Sequence, residues 1–524
     1  MGKFSLLFLF FFLFNSIQAQ DKYPRNNSID ILHYKFELEI SDNHDSLFGK
    51  ATISLKIIEP ISELTLDLHA VNNLGKGMLV TAIKSNGKDI KYNHEGEKLN
   101  ISFKRDIGEV ELVVWYQGVP KDGLIISKNK FGDRTFFCDN WPNRASNYLP
   151  VIDHPYEKAT SQFSVKAPDH YQVISNGVLT ESIDIDKNIR QTSYYSYQPL
   201  PTKVMVFGAA NFSVQRCDSL GTIPVTSWVY PQEKKNGFYD YAMAVDILEW
   251  FENKIAPYPY SQLANVQSKT RYGGMENAGC IFYHENSIDG KRGSEDLFAH
   301  EIAHQWFGNS ASEADWHHVW LSEGFATYLT EVYKQETQSD SAFRLGMERA
   351  GKKVLLYTKK FPNSKIIDTS ITNLNRLLNP CTYQKAAWFL HSLRNYIGDV
   401  DFWKGVRAYY NNYKYSNSLS EGFMEEMEFA SGRKLYPFFT RWLYQEGLPK
   451  FNFTWSQKRG IFLEQVGENF FPVNIKFEIR YKNNKTELVN LNMDSRTIDL
   501  SLDFKKDKIE SIIFDPYNDI LRGK

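Results

Sequence analysis

The fold of this 524-residue chain is decided by one stretch, His300-Glu301-Ile302-Ala303-His304, with Trp320-Leu321-Ser322-Glu323-Gly324 after it. Two histidines four positions apart on a helix lie on the same face, about 6 Å apart, so both rings can reach one cation. A catalytic zinc takes three protein ligands and leaves the fourth position to water. The pattern predicts one Zn²⁺ per chain, with His300, His304 and Glu323 as ligands and Glu301 as the base that deprotonates the activated water.

Two helices are predicted to carry these residues. Ser294 is suited to an N-cap and Gly308 to a helix end, which predicts a first helix from Glu295 to Phe307. The second, amphipathic segment, Ser322 to Tyr333, is expected to pack back on the first. A lone His-Glu-x-x-His can arise by chance and Glu323 can be an ordinary solvated acid, but the two together at this separation make an accident improbable.

A second constellation lies upstream, at Gly273-Gly274-Met275-Glu276-Asn277-Ala278-Gly279. Glycines let a backbone approach a ligand closely, and an extended backbone pairs with a peptide as a strand does. Glu276 on such an edge can receive a positively charged group. Taken alone, this segment is better explained as a glycine-bounded turn with a solvated acid.

Together with the zinc motif, these residues resemble the gluzincin aminopeptidases of the membrane-alanyl-aminopeptidase family. Its signature of Gly-x-Met-Glu-Asn, His-Glu-x-x-His and a Glu after eighteen residues stands here in order. The resemblance implies that Glu276 binds the free α-amino group of a peptide, and that Gly273, Gly274, Met275 and Asn277 belong to the substrate site. It also matches Tyr383 in Tyr383-Gln384-Lys385-Ala386-Ala387 to the tyrosine that hydrogen-bonds the oxyanion of the tetrahedral intermediate.

The sequence departs from the family pattern at Asp139-Asn140-Trp141-Pro142. The family usually has Gln-x-Glu before the proline-containing stretch, and the matching positions here are Asp139 and Trp141. The usual carboxylate is therefore missing at position 141. We predict that Asp139 replaces it as a second acid for the substrate ammonium; the alternative is that Asp139 is a turn residue.

The N-terminus predicts export. Lys3 precedes the apolar run Phe4 to Phe14, which is short for a membrane span and typical of a secretory signal peptide over residues 1–19, with a signal anchor as the alternative. No later run is long and apolar enough to cross a bilayer, so an exported protein, periplasmic or secreted, without a stable membrane span is expected. The balance of 61 basic and 62 acidic residues argues against nucleic acid as a partner.

Hydrophobic periodicity divides the rest into three domains of a multidomain α+β protein. Period-two runs predict an N-terminal antiparallel β domain over residues 20–212. Mixed and then helical patterns follow over 213–449, which the resemblance implies is a thermolysin-like α+β zinc catalytic domain. Residues 450–524 alternate again and predict a small C-terminal β-sandwich. His317 and His318, between the zinc helices, are assigned to packing or to the cleft wall because the ligand set is already complete.

The predicted function is hydrolysis of the N-terminal residue from peptides with a free N-terminus. Three rivals remain: a thermolysin-like endopeptidase, a leukotriene-type epoxide hydrolase, and a non-catalytic zinc-bearing binding module. The residue patterns leave the oligomeric state open. They also leave open whether the cleft is covered by another chain, as a further helical domain covers it in many family members.

Overall fold

A computed structural model of the protein describes residues 21–500 and 508–523, without the side chains of 218–220. The predicted signal peptide, residues 1–19, lies outside the described residues. Within them, no helix combines the length and hydropathy needed to cross a bilayer.

The first domain is built from sheets whose inward-facing residues follow the period of two seen in the sequence: Tyr34, Phe36, Leu38 and Ile40 are all buried. Its largest sheet has eight strands in the order β13-β14-β11-β1-β2-β8-β4-β5, flanked by a four-stranded sheet, β12-β15-β10-β9, and a three-stranded sheet, β3-β7-β6. Every pair is antiparallel except β1 with β11, which run parallel. The strands are β1 (Ile29–Glu39), β2 (Leu47–Ile57), β3 (Ile61–Asp67), β4 (Gly77–Ser85), β5 (Lys88–Asp89), β6 (Tyr92–Glu95), β7 (Lys98–Arg105), β8 (Gly108–Val119), β9 (Leu124–Lys128), β10 (Arg134–Cys138), β11 (Ala159–Pro168), β12 (Gln172–Ser175), β13 (Val178–Asp186), β14 (Ile189–Leu200) and β15 (Phe207–Ala210).

The middle of the chain combines a five-stranded sheet, in the order β16-β17-β18-β20-β19, with nine described helices. The short strand β19 forms one edge of this sheet, next to the first zinc-motif helix, α3. The elements are β16 (Ser213–Leu220), β17 (Ile223–Val229), α1 (Lys234–Tyr241), α2 (Ala244–Lys254), β18 (Leu263–Ser268), β19 (Gly274–Met275), β20 (Cys280–His284), α3 (Glu295–Ala303), β21 (Ala311–Glu313), α4 (Trp320–Thr337), α5 (Asp340–Lys360), α6 (Ala386–Ile397), α7 (Asp399–Tyr413), β22 (Ser416–Ser418), α8 (Ser420–Ser431) and α9 (Tyr436–Tyr444).

The helix that carries the histidines is shorter than the sequence pattern predicts: α3 ends at Ala303 instead of Phe307. The chain turns after His304 because Gly308 has a positive φ of 116° and lies against α4, where a Cβ atom would be 2.1 Å from Ser322 Oγ. The Ser294 side chain makes no capping hydrogen bond and instead donates to the Ser287 carbonyl. The second helix, α4, is longer than predicted at both ends.

The last part of the chain forms two three-stranded sheets, β23-β24-β27 and β26-β25-β28. They pack face to face through aromatic rings: the Phe453 ring centroid lies 5.6 Å from that of Phe477 and 5.7 Å from that of Phe514. This arrangement confirms the predicted multidomain α+β fold with C-terminal β-sheets. The strands are β23 (Lys450–Ser456), β24 (Gly460–Val466), β25 (Val473–Tyr481), β26 (Thr486–Met493), β27 (Thr497–Leu500) and β28 (Ile509–Phe514).

Two lysines, of which Lys203 is buried, tie the N-terminal β domain to the segment between the zinc-motif helices. Lys158 Nζ donates to the carbonyl oxygens of Asn309 and Ser310, at 3.1 and 2.8 Å. Lys203 Nζ forms an ion pair with Glu313 at 2.5 Å, and both side chains are almost completely buried. Since a buried ion is tolerated only when it is paired, this contact fixes one domain against the other.

We expect Lys203→Met to lower the free energy of unfolding by about 3–5 kcal/mol, because Glu313 would remain as an uncompensated buried charge. Lys84→Met is the control, since Lys84 pairs with Asp89 at 3.6 Å on the surface, and it should change stability by less than about 1 kcal/mol. Urea unfolding of both variants measures the difference. Equal, small effects would show that the buried pair does not hold the domains together.

Candidate metal centre

Three side chains converge on one point between α3 and α4. The Nε2 atoms of His300 and His304 lie 3.2 Å apart, and Glu323 Oε2 lies 3.5 and 3.3 Å from them. Ligand atoms bound tetrahedrally to zinc at about 2.0–2.2 Å are separated by roughly 3.3–3.6 Å. The donor set and its spacing therefore fit one zinc ion, with a fourth position left open to the pocket.

The protein also orients these ligands. His304 Nδ1 lies 3.2 Å from the Phe307 carbonyl oxygen, to which an Nδ1–H donates, and 3.0 Å from Ser322 Oγ. A proton on Nδ1 leaves the lone pair of Nε2 free to bind a metal, as is usual for metal-ligating histidines. Glu323 Oε2 is buried and accepts no hydrogen bond. This orphaned atom supports a cation at the point where the three groups meet.

The electrostatics of the centre favour positive charge. Burial alone would raise the pKa of Glu323, but attraction to His304 and His300 outweighs it, so the pKa lies well below its ordinary value. Burial likewise opposes the charged form of His304, yet the neighbouring carboxylates, Glu323 first, raise its pKa to about 9. The carboxylates thus stabilise positive charge on His304, next to the point where the spacing of the three ligand atoms suits a metal ion.

Glu301 faces the same point from within the histidine motif. Burial, followed by the nearby charges of Glu276 and Glu323, raises the pKa of its carboxyl group well above the ordinary value, against the opposing effect of His304. A carboxylate with a raised pKa takes up a proton readily and can pass it on, which is what a general base that later acts as an acid needs.

The edge strand β19 brings the glycine-rich segment against Glu301. A Cβ atom on Gly274 would lie 2.3 Å from Glu301 Oε1, so only glycine permits this approach. Gly273, Gly274, Met275 and Glu276 all line a pocket of about 230 Å³ that also contains the metal ligands and Glu301. The sequence-predicted substrate edge and the metal site are therefore neighbours.

Glu276 is the third buried carboxylate of this pocket. It is 5% exposed, and its Oε1 atom has no hydrogen-bond partner. Burial raises the pKa of the group, with His304 acting in the opposite direction. Among the described residues that line the pocket, none is a lysine or an arginine. Glu276 is thus an acceptor to which the pocket lining offers no lysine or arginine.

Tyr383 reaches the pocket from a π-helical turn, Cys381–Lys385. Its ring lies nearly parallel to the His300 ring, with centroids 6.1 Å apart. Burial, and then the charges of Glu323 and Glu276, raise the pKa of the phenol well above its ordinary value. The hydroxyl therefore stays protonated and available as a hydrogen-bond donor.

Two of the predicted substrate residues are not brought into the pocket. The Asp139 carboxylate is buried, paired with Arg144, and accepts a hydrogen bond from the Arg271 backbone N–H at 3.1 Å. The Asp139 carboxylate therefore already has partners in this structure, and it does not line the pocket; its role as a second acid for the substrate ammonium stays a prediction. Asn277 is also fully buried and does not line the pocket.

His317 and His318 lie outside the ligand set, as expected. His317 Nε2 contacts the Ile371 carbonyl oxygen at 3.1 Å, and His318 Nδ1 contacts Ser420 Oγ at 2.8 Å. Within the described part of the chain, the one cluster of three or more potential ligands with this spacing is His300, His304 and Glu323.

The sequence did not identify four residues that line the pocket: Trp141, Tyr272, Leu297 and Leu378. Trp141 was noted only as a departure from a family pattern, although an indole in the place of an expected acid is a signal for an altered binding wall. Its ring packs edge-on against Tyr272 and Trp316, with centroids 6.5 and 5.7 Å apart. Leu297 and Leu378 carry no signal, because isolated leucines are ordinary in helices and loops.

Comparison with known proteins agrees with this geometry. The Peptidase M1 N-terminal domain matches residues 31–204, and the Peptidase family M1 domain matches residues 239–442. A "Probable aminopeptidase 2" of Sulfurisphaera tokodaii is 26% identical over 83% of this chain and 58% of its own length. A "Leucyl aminopeptidase" of Saccharolobus solfataricus is 26% identical over 91% of this chain and 60% of its own.

The fold itself is shared with a solved M1 zinc metallopeptidase from Deinococcus radiodurans. The TM-score is 0.67 at 22% sequence identity, covering 81% of this chain and 95% of the other. The chain spans about three fifths of the length of the archaeal relatives that it matches. With both domain models matched in order and the ligand set assembled within the second, this chain belongs to peptidase family M1.

Proposed function

We propose that this protein is a zinc-dependent aminopeptidase that hydrolyses the N-terminal residue from peptides. One observation carries the proposal: the buried, unpartnered carboxylate oxygen of Glu276 lines the same pocket as the three-ligand centre and Glu301. A buried carboxylate without a partner is costly, and an ammonium group is the natural ligand to compensate it. The free N-terminus of a peptide supplies that group next to its first peptide bond.

Zinc bound by His300, His304 and Glu323 would polarise the scissile carbonyl and lower the pKa of water in the fourth position. Glu301 accepts the proton of the attacking water, and its raised pKa lets it pass the proton to the leaving amine. The protonated hydroxyl of Tyr383 donates a hydrogen bond to the oxygen on which negative charge develops.

The position of Glu276 would explain why only chain ends are cut. An internal peptide segment offers no ammonium, so its binding would leave the buried carboxylate unpaired at a cost of several kcal/mol. The names of the relatives support the same activity, since they are described as aminopeptidases. A variant of the Deinococcus enzyme was crystallised with a Tyr-Ser-Ala substrate.

The first test is hydrolysis of aminoacyl anilides by purified protein, before and after chelation. We expect activity that is lost with the metal and restored by zinc, which would exclude a non-catalytic binding module.

Glu301→Gln should bind zinc with unchanged stoichiometry and lower kcat roughly 10³-fold, because the general base is lost. A Glu301→Gln variant as active as the parent would refute this role, and cleavage within an N-acetylated peptide would favour an endopeptidase.

Glu276→Ala should weaken exopeptidase activity strongly, by about 100-fold or more in kcat/KM, because the ammonium would lose its charged partner in a buried site. Glu249→Ala, an exposed acid on α2, is the control. Steady-state kinetics with a leucyl anilide measure both variants. If the Glu276 variant cleaved this substrate as well as the parent, the group would not bind the amine.

The pocket wall predicts which first residues are preferred. Trp141, Tyr272, Met275 and Leu378 present apolar surface, and no lining lysine or arginine is available to a substrate carboxylate. We expect kcat/KM for leucyl, methionyl and phenylalanyl anilides to exceed that for aspartyl and glutamyl anilides by at least about tenfold, since burying an acidic side chain beside three carboxylates is unfavourable. A glutamyl anilide cleaved equally well would contradict this reading of the wall.

A further inference from the structure

The backbone of the Glu276 segment is held by side-chain amides that belong to the metal-binding segment. Gln305 Nε2 donates to the Glu276 carbonyl oxygen at 2.8 Å, and Asn309 Nδ2 donates to the same oxygen at 2.6 Å. The Gly279 backbone N–H donates to Gln305 Oε1 at 2.8 Å. Gln305 and Asn309 are both fully buried. One glutamine thus bridges both ends of the 276–279 turn.

These amides are joined to the metal-ligand segment by the chain itself and by hydrogen bonds. Gln305 follows His304 directly, and the Asn309 backbone N–H donates to the His304 carbonyl oxygen at 3.1 Å. Gln305 Nε2 also lies 3.3 Å from the Glu301 carbonyl oxygen. A displacement of the His304 segment therefore moves the Glu276 backbone with it.

The opposite side of the turn is held from the N-terminal β domain. Asn176 Nδ2 donates to the Ala278 carbonyl oxygen at 2.7 Å and to the Val204 carbonyl oxygen at 2.9 Å. Asn176 Oδ1 accepts from the Val206 backbone N–H at 2.6 Å. Three amides from two domains thus bind residues 276–279, and all three are neutral, so they fix position without adding charge beside the Glu276 carboxylate.

We propose that Gln305 and Asn309, supported by Asn176, are positioning residues that set the distance between the Glu276 carboxylate and the metal centre. This inference rests on the proposed function, in which that distance must match one amino-acid residue, from the α-amine to the first carbonyl. A displacement of about 1 Å in such an arrangement can cost roughly 100-fold in rate. The amide clamp, meaning Asn176, Gln305 and Asn309, would therefore determine the selectivity for chain ends.

A purely structural role is the competing explanation, because buried backbone groups generally need partners. The two roles differ in what they change. Loss of a structural hydrogen bond weakens stability and affects all ligands of the pocket alike. Loss of positioning weakens only those ligands that use Glu276 and the metal at the same time.

The test uses two zinc-binding hydroxamates that differ by one group: leucine hydroxamate and its des-amino analogue, 4-methylpentanohydroxamate. Calorimetry on the zinc-loaded protein gives the Kd of each. The Kd of the des-amino compound divided by the Kd of leucine hydroxamate measures the contribution of the amine. We expect Gln305→Met, which keeps the shape of the side chain and removes its hydrogen bonds, to reduce this ratio at least tenfold. The Kd of the des-amino compound and the zinc content should change less than threefold.

The matched control is Gln267→Met. Gln267 is equally buried, accepts from the Tyr230 backbone N–H at 2.9 Å and donates to the Glu285 carbonyl oxygen at 3.0 Å and to the Glu233 carboxylate. It lies in the same domain, and its hydrogen bonds do not reach residues 276–279. The ratio of the two Kd values in Gln267→Met should equal that in the parent. Asn309→Ala, which leaves the Gln305 bonds to Glu276 and Gly279 in place, is the milder second variant should Gln305→Met fail to fold. It should lower the ratio at least threefold.

The outcomes separate the clamp from the proposed function. A large ratio in the parent that persists in Gln305→Met and in Asn309→Ala would overturn the positioning role while leaving the aminopeptidase proposal intact. An equal loss of affinity for both hydroxamates would show a structural role only. A ratio near one in the parent would overturn both proposals. A parent that hydrolyses no anilide, yet loses its amine preference in Gln305→Met, would refute the activity and keep the clamp.

Discussion

The structure depends on three buried carboxylates placed around two imidazoles in one pocket. Glu276, Glu301 and Glu323 are each about 5% exposed or less. Burial and the charge of Glu323 raise the pKa values of Glu276 and Glu301, and all three carboxylates raise the pKa of His304. Buried like charges repel each other strongly, because little water is present to screen them. The arrangement is tolerable when cations enter it, and it presents two places for them: the point between the three ligand atoms and the free oxygen of Glu276.

The same requirement explains why the pocket is assembled from several elements. α3 and α4 supply the metal-ligating groups, the edge strand β19 leads into Glu276, and a π-helical turn supplies Tyr383. The convergence of these polar groups therefore depends on how the elements pack against one another. The glycines at 274 and 308 relieve the closest approaches, to Glu301 and to Ser322.

The N-terminal β domain contributes hydrogen bonds and an ion pair to the segments of this site, in addition to part of the pocket lining. Lys158, Lys203 and Asn176 all reach from it into the segments next to the metal ligands and Glu276. Each satisfies backbone or carboxylate groups that are buried in the domain contact. The domain therefore shares in setting the geometry of the pocket, and Trp141, which also belongs to it, forms part of the pocket lining.

The amino-acid sequence by itself predicted the α+β fold class from its periodicity and the candidate ligand triad from the spacing of His300, His304 and Glu323. It indicated the family through the resemblance of its motifs. Tertiary structure alone decided which groups the Asp139 carboxylate contacts, since only folding brings Arg144 and the Arg271 backbone N–H next to it. It likewise decided that Leu297 and Leu378 form walls and that Gln305 and Asn309 bind the Glu276 backbone. Contacts between residues distant in sequence carry no periodic signal, so the spacing of motifs predicts the ligands of the centre but not what surrounds them.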